Sequence, residues 1–232
     1  TTTFRVVETV ANATRQSYQG RTGLFITPGY EFKRVDSLLT NFHLPRSSLL
    51  ALVMAFAGVE ETRRLYELAI DAAGLTGEET VWDLYCGTGT IGLSMAKEAL
   101  TVWGVDVSEE SIACALENAD LNGIANSAFF AGEVGQAVEE LLDRSGDPDV
   151  VVVDPPRAGL SNKALRRLGR IGAPRIVYVS CNPTTLAGNA KLLRDDWGYE
   201  LKRTRPVDMF PHTPHVESVS LLERTAVSDT SE

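Results

Sequence analysis

The stretch "TVWDLYCGTGTIGLSMA", residues 80–96, decides the fold. Its start, "TVWDLY", is a short run of β-branched and aromatic residues, the composition of a strand. Gly87, Gly89 and Gly92 then fall at G-x-G-x-x-G spacing, and residues 90–98 carry a helical pattern. Glycines at such a strand-to-helix turn let the backbone approach a ligand closely. Outward from this stretch the pattern repeats. "TVWGVDV" (101–107), "SAFFAG" (126–131), "DVVVVD" (149–154) and "RIVYVS" (175–180) read as further strands, with helices over 109–122, 134–145, 161–170 and about 184–196. This alternation predicts a parallel sheet covered by helices on both faces. "GYELKRTRP" and "HVESVSLLER" are joined by "VDMFPHTP", which carries no helix, so they form a hairpin that adds an antiparallel strand.

The predicted fold class is therefore α/β, Rossmann-like, with a mostly parallel seven-stranded sheet, an antiparallel last strand and a small N-terminal α/β segment. That is the layout of a class of S-adenosylmethionine-dependent methyltransferases. Asp106 ends the second strand 19 residues after Gly87, where a carboxylate can take two ribose hydroxyls. The glycines and Asp106 suit NAD and S-adenosylmethionine alike. Asp83, ahead of the glycines, favours S-adenosylmethionine, because a carboxylate facing a pyrophosphate would be repelled. Cys86 in this loop reads as a small packed residue and Cys114 as a helix core residue.

Residues 1–70 do not follow the alternation. "GRTGLFITPGYEFKRVD" reads as a strand, a turn at Pro28-Gly29 and more extended chain, and "LPRSSLLALVMAFAG" as a helix ending at Gly58. "VEETRRLYELAIDAAG" is an amphipathic helix closed by Gly74. The division expected is an N-terminal segment 1–70, a catalytic domain 71–226 and a disordered polar tail 227–232. The apolar run from Leu49 to Ala57 is expected to pack on the sheet or its helices rather than stand exposed.

Composition narrows the class. The 232 residues are 44% hydrophobic, as for one globular domain plus something smaller. The longest apolar run, "LLALVMAFAG", is shorter than a membrane span, and Thr1–Phe4 is not a basic leader before an apolar core. The sequence starts without Met and reads as a fragment or a trimmed chain. Three cysteines without C-x-x-C argue against a disulfide framework, an iron–sulfur cluster or a structural zinc, and for a reduced, cytoplasmic setting. Net charge is −9, which by itself disfavours a nucleic-acid partner. Residues 1–70 hold 8 Lys and Arg against 6 Asp and Glu, so the acidity lies in the remainder. Within that remainder Arg157, Lys163, Arg166, Arg167, Arg170 and Arg175 fall close together, either a solvated helix face or a local basic patch.

Three further stretches carry chemistry. "VVVDPPRAGL" ends the fourth strand, and ligands of doubly wound sheets sit at the carboxyl ends of strands, so Asp154 is aimed at the site. Its plainer reading is a rigid turn with a capping Asp. In "YVSCNPTTLA" Cys181 ends the next strand, at the same sheet edge as Asp154. Thr184 and Thr185 read as the cap of the next helix, whose dipole would lower the thiol pKa and favour a thiolate nucleophile. A buried structural cysteine is the alternative. In "FPHTPHVESV" His215, Glu217 and Val219 alternate on one strand face. Glu217 in this apolar setting has its pKa raised toward that of a usable base. His212, His215 and Glu217 as metal ligands is the competing reading; no further ligand cluster accompanies them, and no metal is expected.

Taken together, "DLYCGTGTIGL", "DPPRAGL", "YVSCNPTTLA" and "FPHTPHVESV", in this order, resemble the catalytic domain of the RNA 5-methyluridine methyltransferases over residues 72–226. The resemblance implies S-adenosyl-L-methionine as cofactor and RNA, a tRNA or an rRNA, as substrate. It implies that Cys181 adds to carbon 6 of uracil and that Glu217 removes the carbon-5 proton. Asp83, Tyr85, Gly87, Gly89, Thr90, Asp106, Glu133 and Asp154 would hold the cofactor, with Glu133 standing where Asp or Asn is more usual. Asp154, Arg157, Asn182 and His215 would face the base. Residues 1–68, with "GLFITPGYEFKRVDSLLTNFHLPRSSLLALVMAFAG", resemble the C-terminal part of the tRNA ribosyltransferase-isomerase of queuosine synthesis. "ALVMAFAG" occupies the stretch where the methyltransferases usually carry Phe-Gln-x-Asn. Competing readings are a queuosine-pathway ribosyltransferase fragment, a non-catalytic chimeric or engineered module, and a nicotinamide dehydrogenase, which explains neither Cys181 nor Glu217.

Overall fold

The computed structural model describes residues 7–9, 24, 26–27, 29–34, 58–209 and 216–225. The expected helix before Gly58, most of the N-terminal segment, His212, His215 and the tail lie outside the described residues. From Val59 the elements run α1 (Val59–Ala73), β1 (Thr80–Leu84), α2 (Thr90–Met95), β2 (Thr101–Asp106), α3 (Glu109–Leu121), β3 (Ser127–Ala131) and α4 (Val134–Ser145). They continue with β4 (Val150–Val153), α5 (Asn162–Ile171), β5 (Arg175–Ser180), α6 (Pro183–Trp197), β6 (Tyr199–Val207) and β7 (Glu217–Arg224). The seven strands lie in the order β3-β2-β1-β4-β5-β7-β6. The first five in that order are mutually parallel, and β7 pairs antiparallel with both β5 and β6. The predicted class and the antiparallel last strand are therefore present, with β7 inserted inside the sheet and β6 at its edge.

The central strands are buried on both faces, which is why they read as unbroken apolar runs. Period-two alternation still sorts their side chains. Val150 and Val152 join Val81, Val102, Val177 and Val179 under α1 and α2. Val151 and Val153 join Trp82, Ile176 and Tyr178 under α4, α5 and α6. A third cluster seats α3 on Phe129 and Cys86. Cys86 is buried in it, as expected of a small packed residue.

Two sequence expectations shift. The helix after the glycine loop ends at Met95 rather than residue 98. Asn126 explains this: its Nδ2 donates to the Ala96 and Ala99 carbonyls at 2.8 and 3.1 Å, where a continued helix would have used them. The cap of α6 is Asn182, not the threonine pair. Its side chain accepts from the Thr184 N–H at 3.1 Å, and Pro183 takes the first helical position, where its missing N–H costs nothing.

Arg175 also falls elsewhere than its sequence neighbours suggest. Its Nη1 donates to the Ala73 and Gly74 carbonyls at 2.5 and 2.7 Å, and its Nη2 lies 3.5 Å from Glu79 Oε1. It thus closes the C-terminus of α1, where a cation is favoured, and ties that helix to the start of β5. It sits at the sheet edge opposite Cys181 and is not part of a basic patch with Lys163 and Arg166.

Gly104 shows how tight the interior is. A Cβ there would stand 2.3 Å from the Phe129 ring and 3.0 Å from Cys86 Sγ. Gly104→Ala should cost about 1–3 kcal/mol by overpacking. Urea unfolding should show a lower midpoint at unchanged slope; an unchanged midpoint would mean that the β2–β3–α3 packing is looser than the structure shows.

Candidate active site

β1 hands the chain to the glycine loop through Tyr85, whose φ of 72° is the only positive value at a non-glycine among the described residues. A bulky residue there is strained, and such strain clusters at ligand sites. The Tyr85 and Cys86 amides both donate to the Val105 carbonyl, at 2.9 and 3.0 Å, which holds the turn. Gly87 and Gly89 follow at φ 54° and 78°. Asn118 of α3 secures the loop from outside, donating from Nδ2 to the Thr88 carbonyl at 3.0 Å.

Asp83 supports the loop from beneath. It is fully buried; Oδ2 accepts from the Gly92 amide at 2.9 Å, and Oδ1 is buried without a partner. A Cβ on Gly92 would lie 2.8 Å from that carboxylate, so the third glycine is what lets the amide reach it. Burial pushes the Asp83 carboxyl up to about 7, the Gly92 bond pulling down and Asp106 pushing up. Asp106 accepts from the Gly87 and Ser108 amides at 2.9 and 3.0 Å, which sets its carboxylate at the rim beside the exposed Val107.

Beyond this rim a cavity of about 260 Å³ is lined by Tyr85, Val107, Glu133, Val134, Ser161, Lys163, Ala164 and Arg167. Tyr85 and Glu133 were singled out from sequence as cofactor residues, and Lys163 and Arg167 only as part of a basic cluster; Val107, Val134, Ser161 and Ala164 were not. A narrower cleft of about 40 Å³ lies between α1 and the sheet, lined by Thr62, Leu65, Tyr66, Thr90, Ile91, Asp154, Val179 and Glu217. Thr62 and Tyr66 are the residues that sequence reasoning missed here. Their spacing of four on an amphipathic helix puts them on one face, but nothing in the pattern says which face meets the site.

β4, β5 and β7 deliver the remaining groups. Asp154 follows β4 and Cys181 follows β5. Ser180 pairs with Ser218, so Glu217, the first residue of the antiparallel β7, arrives beside Cys181 from the opposite chain direction. Burial pushes Glu217 up to about 7, as expected. Asp154 is pushed well above the usual carboxylate range by burial, then by Glu217 and Asp83. The thiol behaves opposite to expectation. Burial raises the Cys181 pKa, Glu217 and Asp154 raise it further, and the Arg157 charge opposes them. The expected lowering by the α6 dipole does not prevail: burial is the largest cause, and the two carboxylates add to it.

Two amides fix the loops. Asn182 Nδ2 donates to the Arg157 carbonyl at 3.2 Å while its Oδ1 caps α6, so this side chain joins the loop after Asp154 to the one carrying Cys181. Deeper, Asn189 Oδ1 accepts from the Leu160 amide and the Tyr178 hydroxyl, both at 2.8 Å. The structure brings Asp154, Arg157, Cys181, Asn182 and Glu217 to one edge, and Asp83, Tyr85, Gly87, Gly89, Thr90, Asp106 and Glu133 around the adjoining loop.

A glycine loop on the first strand, carboxylates at the ends of β2 and β4 and an antiparallel β7 define the methyltransferase class of doubly wound folds. The magnesium protoporphyrin IX methyltransferase of Synechocystis, with S-adenosyl-L-homocysteine bound, shares this fold at 16% identity, with TM-score 0.57 over 81% of this chain and 89% of that one. Within the class, the chain belongs to the tRNA (uracil-5-)-methyltransferase family, whose model matches residues 55–225. Residues 1–73 match the queuosine biosynthesis protein family, and the two matches overlap on α1. The Pyrococcus abyssi tRNA (uracil-54, C5)-methyltransferase, solved with S-adenosyl-L-homocysteine, is 36% identical, with TM-score 0.57 over 72% of this chain and 38% of that one. A protein of Enterococcus faecalis named an uncharacterized RNA methyltransferase is 47% identical over 165 residues, 71% of this chain and 36% of its own. A second so named, from Caldanaerobacter subterraneus, is 46% identical over 70% of this chain and 35% of its own. The chain thus spans about a third of the length of the curated relatives it matches. Among the described residues no helix is long and apolar enough to cross a membrane.

The raised Asp83 carboxyl makes a pH signature. In the unfolded chain it ionises near its ordinary value of about 3.9, and in the folded chain near 7. Between these values the unfolded state gives up a proton that the folded state keeps, so stability falls as pH rises from about 4 to about 7. Asp83→Asn keeps an acceptor for Gly92 and removes this loss. The variant should melt close to wild type at pH 4.5 and above it at pH 8; an offset independent of pH would refute the buried, raised carboxyl.

Proposed function

We propose that this chain is the catalytic part of an S-adenosyl-L-methionine-dependent RNA (uracil-5-)methyltransferase. The observation that carries the reading is the convergence of Cys181, Asp154 and Glu217 at one sheet edge beside the glycine loop. The residues fit a cationic cofactor. Asp83, Asp154 and Glu217 are raised carboxyls with little cationic company, and Asp83 Oδ1 lacks a partner, so a sulfonium nearby would favour their charged forms. Tyr85, Gly87, Gly89, Thr90, Asp106 and Glu133 would hold the adenosyl and amino-acid parts, with Val107 offering an apolar surface to the base. When bound, the cofactor supplies an electrophilic methyl group for carbon 5 of the uracil.

The chain's own residues do the rest. Cys181, as thiolate, adds through sulfur to carbon 6, and the ring becomes an enolate with nucleophilic carbon 5. The target base must leave the RNA stack to reach a sulfur at a sheet edge. After methylation Glu217 takes the carbon-5 proton; the C–H electron pair re-forms the 5,6 double bond and expels sulfur. Arg157 opposes the acidic surroundings of the thiol and, with Asn182, faces the base; His215 is assigned the same role from its place in the sequence alone. Glu217 becomes a carboxylate through about 7, and the raised thiol gives up its proton only above its ordinary range, so turnover should rise with pH through about 7 and go on rising beyond it.

An RNA containing 5-fluorouridine tests the reading, because fluorine cannot leave as a cation. Wild type with cofactor should give a protein–RNA band on a denaturing gel, and Cys181→Ala should not. Absence of the band from a chain that binds both cofactor and RNA refutes the covalent route. Glu217→Gln should accumulate the methylated adduct on ordinary uridine RNA, with turnover reduced about 10²–10⁴-fold as for loss of a general base. An adduct level equal to wild type would assign the proton to another group.

A further inference from the structure

We propose that the outward face of α5 is a docking track for the phosphate backbone of RNA, leading to Cys181. This rests on the RNA methyltransferase reading and adds where the strand lies. α5 carries Lys163, Arg166, Arg167 and Arg170 and no Asp or Glu. By contrast α3 carries Glu109, Glu110, Glu117 and Asp120 and no cation, and α4 carries Glu139, Glu140 and Asp143 against Arg144. On a chain of net charge −9, phosphates are attracted only where cations are segregated.

The cations are held in place and left available. The apolar face of α5, with Leu165, Leu168 and Gly169, is buried. Gly169 lies so close to the Trp197 ring of α6 that a Cβ would come within 2.1 Å, so the helix cannot roll without losing this contact. That locks Lys163, Arg166 and Arg170 on the exposed side. Spacings of three and four residues place them on one stripe, over about 10 Å of helix axis. Among the described residues none of the four α5 cations makes an ion pair, although Arg63, Arg64, Arg144, Arg194, Lys202 and Arg203 all do. The stripe also points to the site. The first two turns of α5 line the larger cavity through Lys163 and Arg167, and the latter's charge is felt by Tyr85. The preceding loop carries Arg157, whose carbonyl accepts from Asn182 and whose charge is felt by Cys181. Lys163 and Arg167 thus carry the basic stripe of α5 to the rim of the site.

The test uses the full chain and a single-stranded uridine-containing RNA, with binding measured by fluorescence anisotropy across a salt series. Arg166→Gln/Arg170→Gln removes two cations outside both cavities. It should bind RNA about tenfold more weakly at 0.1 M salt and flatten the slope of log K against log salt by about 1.4, two single-strand phosphate contacts. Cofactor affinity by calorimetry should stay at the wild-type value. Lys97→Gln/Arg203→Gln removes equal charge on the opposite side of the sheet and should leave the salt slope unchanged. If both pairs flatten it equally, only net charge matters and the track is refuted. If wild type binds RNA and the α5 pair binds it equally well, the track is refuted while the RNA methyltransferase reading stands. If wild type binds cofactor but no RNA, the reading itself falls, and the track with it; α5-dependent adsorption to anionic vesicles would then assign the face to a membrane surface.

Discussion

The site depends on the insertion of β7 between β5 and β6. Five parallel strands can present only their carboxyl ends to the upper edge, so every group they deliver comes from a loop leaving the sheet. β7 runs the other way and brings the first residue of a strand, Glu217, to that edge. Because Ser218 is paired with Ser180, with the Ser218 hydroxyl donating to the Ser180 carbonyl at 3.2 Å, the carboxylate is registered beside Cys181. A slip of one residue would turn Glu217 to the other face of the sheet.

The electrostatics follow from that convergence. Three carboxyls, Asp83, Asp154 and Glu217, sit in or beside a narrow cleft, and none has an ordinary pKa. Burial is the largest cause for each; repulsion from Asp106 adds to it at Asp83, and repulsion from Glu217 and Asp83 at Asp154. A site of this kind is costly until a cation enters, which makes it selective for a positively charged ligand. It also explains why the thiol is not pre-ionised. A cysteine in such surroundings stays a thiol, the less reactive form, until its proton is removed.

Rigidity comes from polar links that join loops across the sheet edge. Asn182 ties the Arg157 loop to α6, Asn189 ties Leu160 to Tyr178, and Asn118 holds Thr88. Each satisfies backbone groups that a loop cannot pair by itself. Arg175 does the equivalent at the opposite edge by closing α1, so that Thr62 and Tyr66 stand over Thr90 and Asp154.

Sequence alone determined the order of strands and helices from residue 80 onward, because short-range periodicity and the glycine turn are local properties. It also singled out Cys181, Glu217, Asp154 and the glycine loop, since these are unusual residues at strand ends, where chemistry concentrates. The expectation of a raised Glu217 held: Val216 and Val219 mark an apolar stretch, and Leu65, Ile91 and Val179 line the cleft that buries it. The thiol pKa, the cap of α6 and the place of Arg175 were not legible. The first is set by burial in the folded domain and then by carboxylates on other strands, and the second by which of the neighbouring polar residues adopts a non-helical φ. Arg175 was decided by the position of α1, 101 residues away at the Gly74 carbonyl. Nor could the pattern of α1 show that Thr62 and Tyr66 line the cleft. A helix announces that it has an apolar face; only the packing of the whole domain decides what that face covers.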